Sequence, residues 1–340
     1  MTIAELVLSL VGILIGAVLF TNSIEILGER LGLGQGAIGS VLAAVATALP
    51  ETMIPIVAIL GALILGGDPS SASAKIGIGA ILGAPFLLGT LALFMVGIST
   101  LGFRQRRESG DEILVDKNTA MRDMVFFIVF FSLGAGVGVV AVPFFFKVAL
   151  AILMVVGYIG YVVWTVKQEE EDSEEDTPEN LWLWPGSGEA PTLVVVAQVL
   201  ASLAGMVVGA QFFVDAVERG SEAIGIPAGL ISLVLSPLAT ELPEKFNSII
   251  WVGQNKDTLA MGNITGAMTF QSTIPVAIGV VFTAWSLEPI SALSAALALI
   301  GGAGLFILLL RKGSLKAHYL LGGGLLYAVF LGAAIYSVVS

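Results

Sequence analysis

The sequence predicts an all-α polytopic membrane protein of ten transmembrane helices, arranged as two inverted five-helix repeats with broken helices carrying the repeated motifs. Three observations carry this expectation: apolar stretches of about 20 residues along the chain, a gapless self-alignment of its halves, and an odd number of spans per half. Of the 340 residues, 56% are hydrophobic and 12% charged, with a mean hydropathy of +0.97. So much apolar surface needs a second apolar phase around it. Helices of this length cross a bilayer core, and the alternating ten-residue segments of a closed barrel are absent. The 41 glycines suit closely packed membrane helices.

Ten spans can be drawn at 3–27, 36–65, 74–101, 122–141, 144–166, 192–217, 226–253, 258–284, 289–310 and 317–338. The first has Glu5 and neither a basic leader nor a small-residue cleavage site, so it reads as a retained span. Arg104, Arg106, Arg107, Lys117 and Arg122 fall in the connection 102–123, and Arg311, Lys312 and Lys316 in 311–316. These connections share one side of a ten-span protein. The positive-inside rule makes that side cytoplasmic and places both termini outside. The acidic connection KQEEEDSEEDTPENLWLWPGSGEA falls on the same side. It divides the chain into a first repeat (1–166), a cytoplasmic linker (167–191) and a second repeat (192–340).

A shift of 193 positions aligns residues 6–51 with 199–244 without a gap, and 18 of 46 pairs are identical. Gly16 meets Gly209, Glu25 meets Glu218, Glu29 meets Glu222, and Thr47, Pro50 and Glu51 meet Thr240, Pro243 and Glu244. Apolar composition alone would pair leucines and alanines, but not glutamates and a proline. A shift of 183 then places Gly79, Ile81, Gly83, Ala84 and Thr90 on Gly262, Ile264, Gly266, Ala267 and Thr273. With five spans each, the second half must enter the membrane upside down.

Each half sets a glutamate beside a proline inside a long apolar run: Pro50-Glu51 and Pro243-Glu244. Proline lacks an amide hydrogen and collides with the carbonyl four residues earlier, so a kink or break is expected there. Freed carbonyls must be buried in protein or face a wet cavity, where they act as oxygen ligands. A carboxylate at this depth costs several kcal/mol unless compensated, and two meeting across a pseudo-two-fold axis need protons or a cation between them. Carboxylate, hydroxyl and carbonyl oxygens suit hard cations. Thr47 and Thr240 lie one turn before the glutamates, on the same helix face. A single proline-glutamate pair could equally be a packing kink with a snorkelling acid. Two copies at matched depth favour an ion site.

The paired ATALPE (46–51) and ATELPE (239–244), followed by GIGAILGAPF (77–86) and MGNITGAMTF (261–270), resemble the alpha-repeats of the calcium/cation antiporter superfamily, the sodium/calcium exchanger branch most of all. The resemblance covers both repeats and the ten-span plan. It implies Glu51, Glu244, Thr47 and Thr240 as cation ligands, with Asn263 as a further one. The chain departs from the family pattern where a serine is expected: Ala48 and Glu241 follow the two threonines. In the second motif Ala80, Ala84 and Pro85 replace polar residues in the first copy, and only Asn263 survives in the second. Glu241, one turn before Glu244, is either a third acidic ligand or the partner of Lys245 at an aqueous edge. Asn247, Thr265, Thr269 and Gln271 could supply oxygens, although Thr265 and Gln271 could equally bond between helices.

Weaker acidic candidates are Glu25, Glu29, Glu218 and Glu222, read first as solvated helix ends and second as groups that stabilise an inward or outward state, and Asp215, which faces Asn22 across the repeat and is open to both readings. The run 169–176 lacks EF-hand spacing and reads as a solvated linker, with Trp182, Trp184 and Pro185 anchoring its far end. No cysteine and a single histidine, His318, exclude thiolate and histidine-rich metal centres. No nucleotide motif or nucleophile–base pair is present, so neither an ATP-driven pump nor an enzyme is expected. The resemblance implies alternating-access antiport of Ca²⁺ against Na⁺ or H⁺. The expected partners are inorganic cations and the lipid bilayer, with no nucleic acid, nucleotide or cofactor. The expected setting is the plasma membrane of a prokaryote. An exchanger of another divalent cation with H⁺, a cation channel and a non-transporting scaffold remain as alternatives.

Overall fold

The computed structural model describes residues 3–30, 43–64, 68, 70–169, 181–184, 189–311 and 315–339. Ten helical columns run through them. The first half holds α1 (Ile3–Arg30), α2 (Ala43–Ile64), a third column of α3 (Ala72–Leu87) and α4 (Leu93–Phe103), then α5 (Lys117–Val139) and α6 (Phe144–Glu169). The second half holds α7 (Thr192–Ile224), α8 (Ala228–Gly253), an eighth column of α9 (Asp257–Gln271) and α10 (Ile274–Phe282), then α11 (Pro289–Arg311). Its last column is α12 (Ala317–Leu320) with α13 (Gly322–Val339). Among the described residues, eight columns are long and apolar enough to cross a bilayer. The other two, α2 and α8, contain shorter apolar stretches, Leu49–Gly61 and Ala228–Glu241. Those are the helices that carry the proline-glutamate pairs.

Local sequence sets several helix ends. Ser71 accepts the Ala74 amide at the start of α3, and Asp116 accepts from Asn118 and Thr119 at the start of α5. Helix α7 stops where Gly225 takes a left-handed conformation (φ 71°), and Pro227 starts α8 two residues later.

Both α2 and α8 stay helical through their prolines, Pro50 and Pro55 in one and Pro237 and Pro243 in the other. The interruptions fall in the next column of each half. Leu88–Ala92 forms one π-helical turn between α3 and α4, and α9 gives way to α10 at Ser272–Thr273. The shift of 183 places 88–92 on 271–275, so these irregularities are equivalent in the two repeats. π-Turns concentrate at functional positions because they re-aim the side chains that follow.

The pseudo-two-fold axis passes between α1 and α7. The two helices run antiparallel along their length: Glu5 pairs with Arg219 at 3.5 Å at one end, and Arg30 bonds Thr192 at 3.0 Å at the other. Midway, a methyl group on Gly16 would stand 2.7 Å from Met206 and 3.1 Å from the Ser202 carbonyl. One on Gly209 would stand 2.9 Å from Ile13 and 3.1 Å from the Ser9 carbonyl. Residues 9, 13 and 16 become 202, 206 and 209 under the shift of 193, so each helix makes the same contact on the other. That is an isologous, two-fold interface. Around it, the third column packs on the ninth and tenth, and the eighth packs on the fourth and fifth, in matching arrangement.

The two basic connections do meet on one face. β1 (Glu112–Ile113) pairs antiparallel with β2 (Leu315–Lys316). Arg107, one of the five basic residues of its loop, is buried rather than solvated. It pairs with Asp257 at 2.6 Å and bonds the Gly110 and Glu112 carbonyls. On the opposite face Lys75 meets Glu288 at 2.9 Å with both side chains about half exposed, beside a cavity of about 220 Å³ lined by Ser70, Pro227 and Ser291.

Candidate cation site

Glu51 is buried on α2 at 7% exposure, between buried Pro50 and Thr52. Helix α2 touches α8, the helix that carries the second motif. On α8, Thr240 is buried and donates to the Ser236 carbonyl at 3.1 Å. One residue on, Glu241 is 1% exposed and pairs with Lys245, also 1% exposed, at 3.4 Å. These residues are four apart, so they stand on one helix face. Glu241 also accepts a hydrogen bond from the Gln271 amide of α9. The pair therefore sits inside the protein and not at an aqueous edge. Asn263, half-buried on α9, reaches Ser248 of α8 at 3.4 Å.

The side chains of Thr47, Ala48, Glu244 and Asn247 lie outside the described residues, although the helices bearing them are described. Among the described residues, no three acidic or histidine side chains converge. The structure thus brings Glu241, Lys245 and Gln271 together and places Asn263 beside Ser248. It sets Glu51 on a helix adjoining that of Thr240 and Glu241. Thr265 and Gln271 both bond between helices.

A further buried acid was not singled out from the sequence. Asp123 of α5, 1% exposed, accepts from Thr265 of α9 at 2.7 Å and from Tyr161 of α6 at 2.8 Å, and meets Arg122 at 3.4 Å. The Arg122 guanidinium lies over the rings of Tyr161 and Trp164, 5.0 and 5.3 Å from their centroids. Its signal in the sequence was an Arg-Asp pair entering an apolar span, with threonines at 265 and 269 elsewhere to receive it.

Glu218 is partly exposed, Glu222 is exposed, and Asp215 accepts from Gln211 at 2.9 Å. The Glu25 and Glu29 side chains and the run 170–176 lie outside the described residues. At the far end of the linker the Trp182 amide donates to Asn22 at 3.0 Å, and Leu181 packs under it with Ile26 and Val195. Pro185 lies outside the described residues.

Comparison with known proteins agrees with the repeat architecture. The model of the sodium/calcium exchanger protein family matches residues 1–167 and 194–338. The chain belongs to that family, within the calcium/cation antiporter superfamily, and is an integral multi-pass membrane protein. Vacuolar cation/proton exchanger 3 of Arabidopsis thaliana is 25% identical over 306 residues, which cover 81% of this chain and 61% of that one. An uncharacterized membrane protein of Methanocaldococcus jannaschii is 27% identical over 171 residues, 50% of this chain and 52% of its own length. The chain thus spans between half and two thirds of these relatives. A crystal structure of the H⁺/Ca²⁺ exchanger CAX superposes with a TM-score of 0.72 at 18% identity, over 98% of this chain and 84% of that one. The sodium-calcium exchanger NCX_Mj superposes with a TM-score of 0.57 at 21% identity, over 97% of both chains. These structures share the fold.

Proposed function

We propose that the chain is a secondary active antiporter that exchanges a divalent cation, Ca²⁺ foremost, for H⁺ or Na⁺ by alternating access. Glu51 and Glu244 are its principal ligands, with Thr47, Thr240 and Asn263 supplying further oxygens and Glu241 adding charge to the surrounding shell. The reading is carried by the isologous seam of α1 and α7, together with the sequence shift of 193 that pairs Pro50-Glu51 with Pro243-Glu244, while Glu51 lies buried. Two acids in that relation need a cation or protons between them before the helices can move through an apolar barrier. Competition between cation and counter-ion for the same carboxylates then couples the two fluxes. Membership of the exchanger family and the likeness to cation/proton exchangers support the reading. We place the protein in the plasma membrane of a prokaryote.

The test is flux in proteoliposomes under independently varied H⁺ and Na⁺ counter-gradients, with Ca²⁺, Mg²⁺ and Mn²⁺ offered in turn. Either Glu51→Gln or Glu244→Gln should cut exchange by about two orders of magnitude, the size expected when a charged ligand worth several kcal/mol is lost. Folding should remain near wild type. Wild-type rates in either variant would remove these residues from the site. Flux that needs no counter-ion would turn the reading to a channel.

A further inference from the structure

From the buried Glu241–Lys245–Gln271 cluster we infer that Lys245 is a tethered cation of the transport site. Its fixed charge replaces one mobile cation and makes the exchange electroneutral. The inference rests on the antiport reading above.

Three observations carry it. First, the ammonium of Lys245 is 1% exposed and sits 3.4 Å from Glu241. It follows Glu244 directly in sequence, on the helix that lies against α2, the helix bearing Glu51. A lysine this deep has no route to bulk water, so its charge belongs to the interior. Second, the cluster has no counterpart in the other half. The shifts of 193 and 183 place Ala48, Thr52 and Leu88 at the positions of Glu241, Lys245 and Gln271. All three members are therefore special to the second repeat, and Glu241 joins the other two. Third, the charges add up simply. Glu241 and Lys245 cancel, which leaves two negative charges, on Glu51 and Glu244. One divalent cation, or two monovalent ones, neutralises that remainder. A divalent cation moving one way and two monovalent charges moving the other carry no net charge across the membrane.

Without Lys245, Glu241 would be a third uncompensated acid. The site would then draw a further monovalent cation in the half-cycle that carries monovalent ions, because an unpaired carboxylate at this depth is strongly unfavourable. The number of ions moved would change, and with it the charge carried per cycle.

The experiment measures Ca²⁺ flux through the full chain in liposomes, with the membrane potential set by a potassium gradient and valinomycin. Wild-type flux should be indifferent to the imposed potential. Flux through Lys245→Met should rise or fall with it. The double variant Glu241→Gln with Lys245→Met, which removes both charges, should be indifferent again. A potential-dependent wild type overturns the inference, as does an active Lys245→Met that stays indifferent. If Lys245→Met moves no Ca²⁺, recovery of flux in the double variant supports the inference and a silent double variant overturns it. A wild type that moves no Ca²⁺, Mg²⁺ or Mn²⁺ under any counter-gradient overturns the antiport reading itself, an outcome separate from wild-type flux that carries charge.

Discussion

The third and eighth columns are the same element of the two repeats, put to opposite uses. In α3 the residues from Ile76 to Leu87 are all buried, and almost all are apolar. Methyl groups on Gly79 and Gly83 would stand 2.2 Å from the Gly229 and Leu233 carbonyls of α8, so the two backbones are in direct contact there. In α9 the equivalent Gly262 and Gly266 meet nothing within 4 Å among the described residues. The eighth column instead turns buried polar groups on its neighbours, Thr265 on Asp123 and Gln271 on Glu241. The first half has become a close-packed wall. The second has become a polar network, and beside each the glutamate is kept. The small residues Gly79 and Gly83 are what allow α3 to lie so close to α8.

The two faces diverge in the same way. Arg107–Asp257 joins the loop after the third column to the turn before the eighth. Lys75–Glu288 joins the equivalent loop after the eighth to the first turn of the third. One pair is buried and reinforced by neighbouring carbonyls, and the other is half exposed. Asp257→Ala should therefore destabilise the protein by about 3–5 kcal/mol, because it strands a buried guanidinium. Glu288→Ala should cost about 0–1 kcal/mol. Thermal unfolding in detergent compares them, and equal losses would break the asymmetry.

A smaller contrast tests the wall against the network. Gly83→Ala should cost about 1–3 kcal/mol by forcing α3 away from α8, while Gly266→Ala should change stability by no more than about 0.5 kcal/mol. A Gly266→Ala variant as damaged as Gly83→Ala would show the eighth column to be packed like the third.

The smallest effect concerns a helix cap of the first half. The Thr119 hydroxyl beside Asp116 is the main reason its carboxyl lies below the usual carboxylate range. A depressed acid stabilises the fold above its unfolded pKa, and that contribution is lost as pH falls through the folded value. Asp116→Ala should cost about 1 kcal/mol near neutrality. The gap from wild type should close in acid, whereas a gap that persists there would assign the loss to packing.

Much of this architecture was legible because it is written in length and repetition. Apolar runs mark the columns without reference to tertiary contacts, and the shift of 193 pairs Glu51 with Glu244 directly. The interruptions were not legible. The prolines at 50 and 243 drew attention to α2 and α8, yet a helix can continue past a proline when its neighbours accommodate the lost hydrogen bond. The irregular turns at 88–92 and 272–273 adjoin other prolines: Pro85 lies three residues before the first, and Pro275, at the start of α10, has no amide to offer the Gln271 carbonyl. Asp123 was hidden for another reason: its partners come from two other columns, and no spacing in one segment reports them. Lys245 was visible as a charge, but whether it faced water or Glu241 depended on how α8 and α9 meet.

The glycine seam of α1 and α7 has a consequence for motion. Alternating access in an inverted repeat amounts to the two halves exchanging conformations. Every contact off the axis must then trade places with its counterpart, as the wall and the network would. The contact on the axis is its own counterpart, so the exchange returns it unchanged. On the alternating-access reading proposed above, helices α1 and α7 would travel as one body while everything around them changes sides.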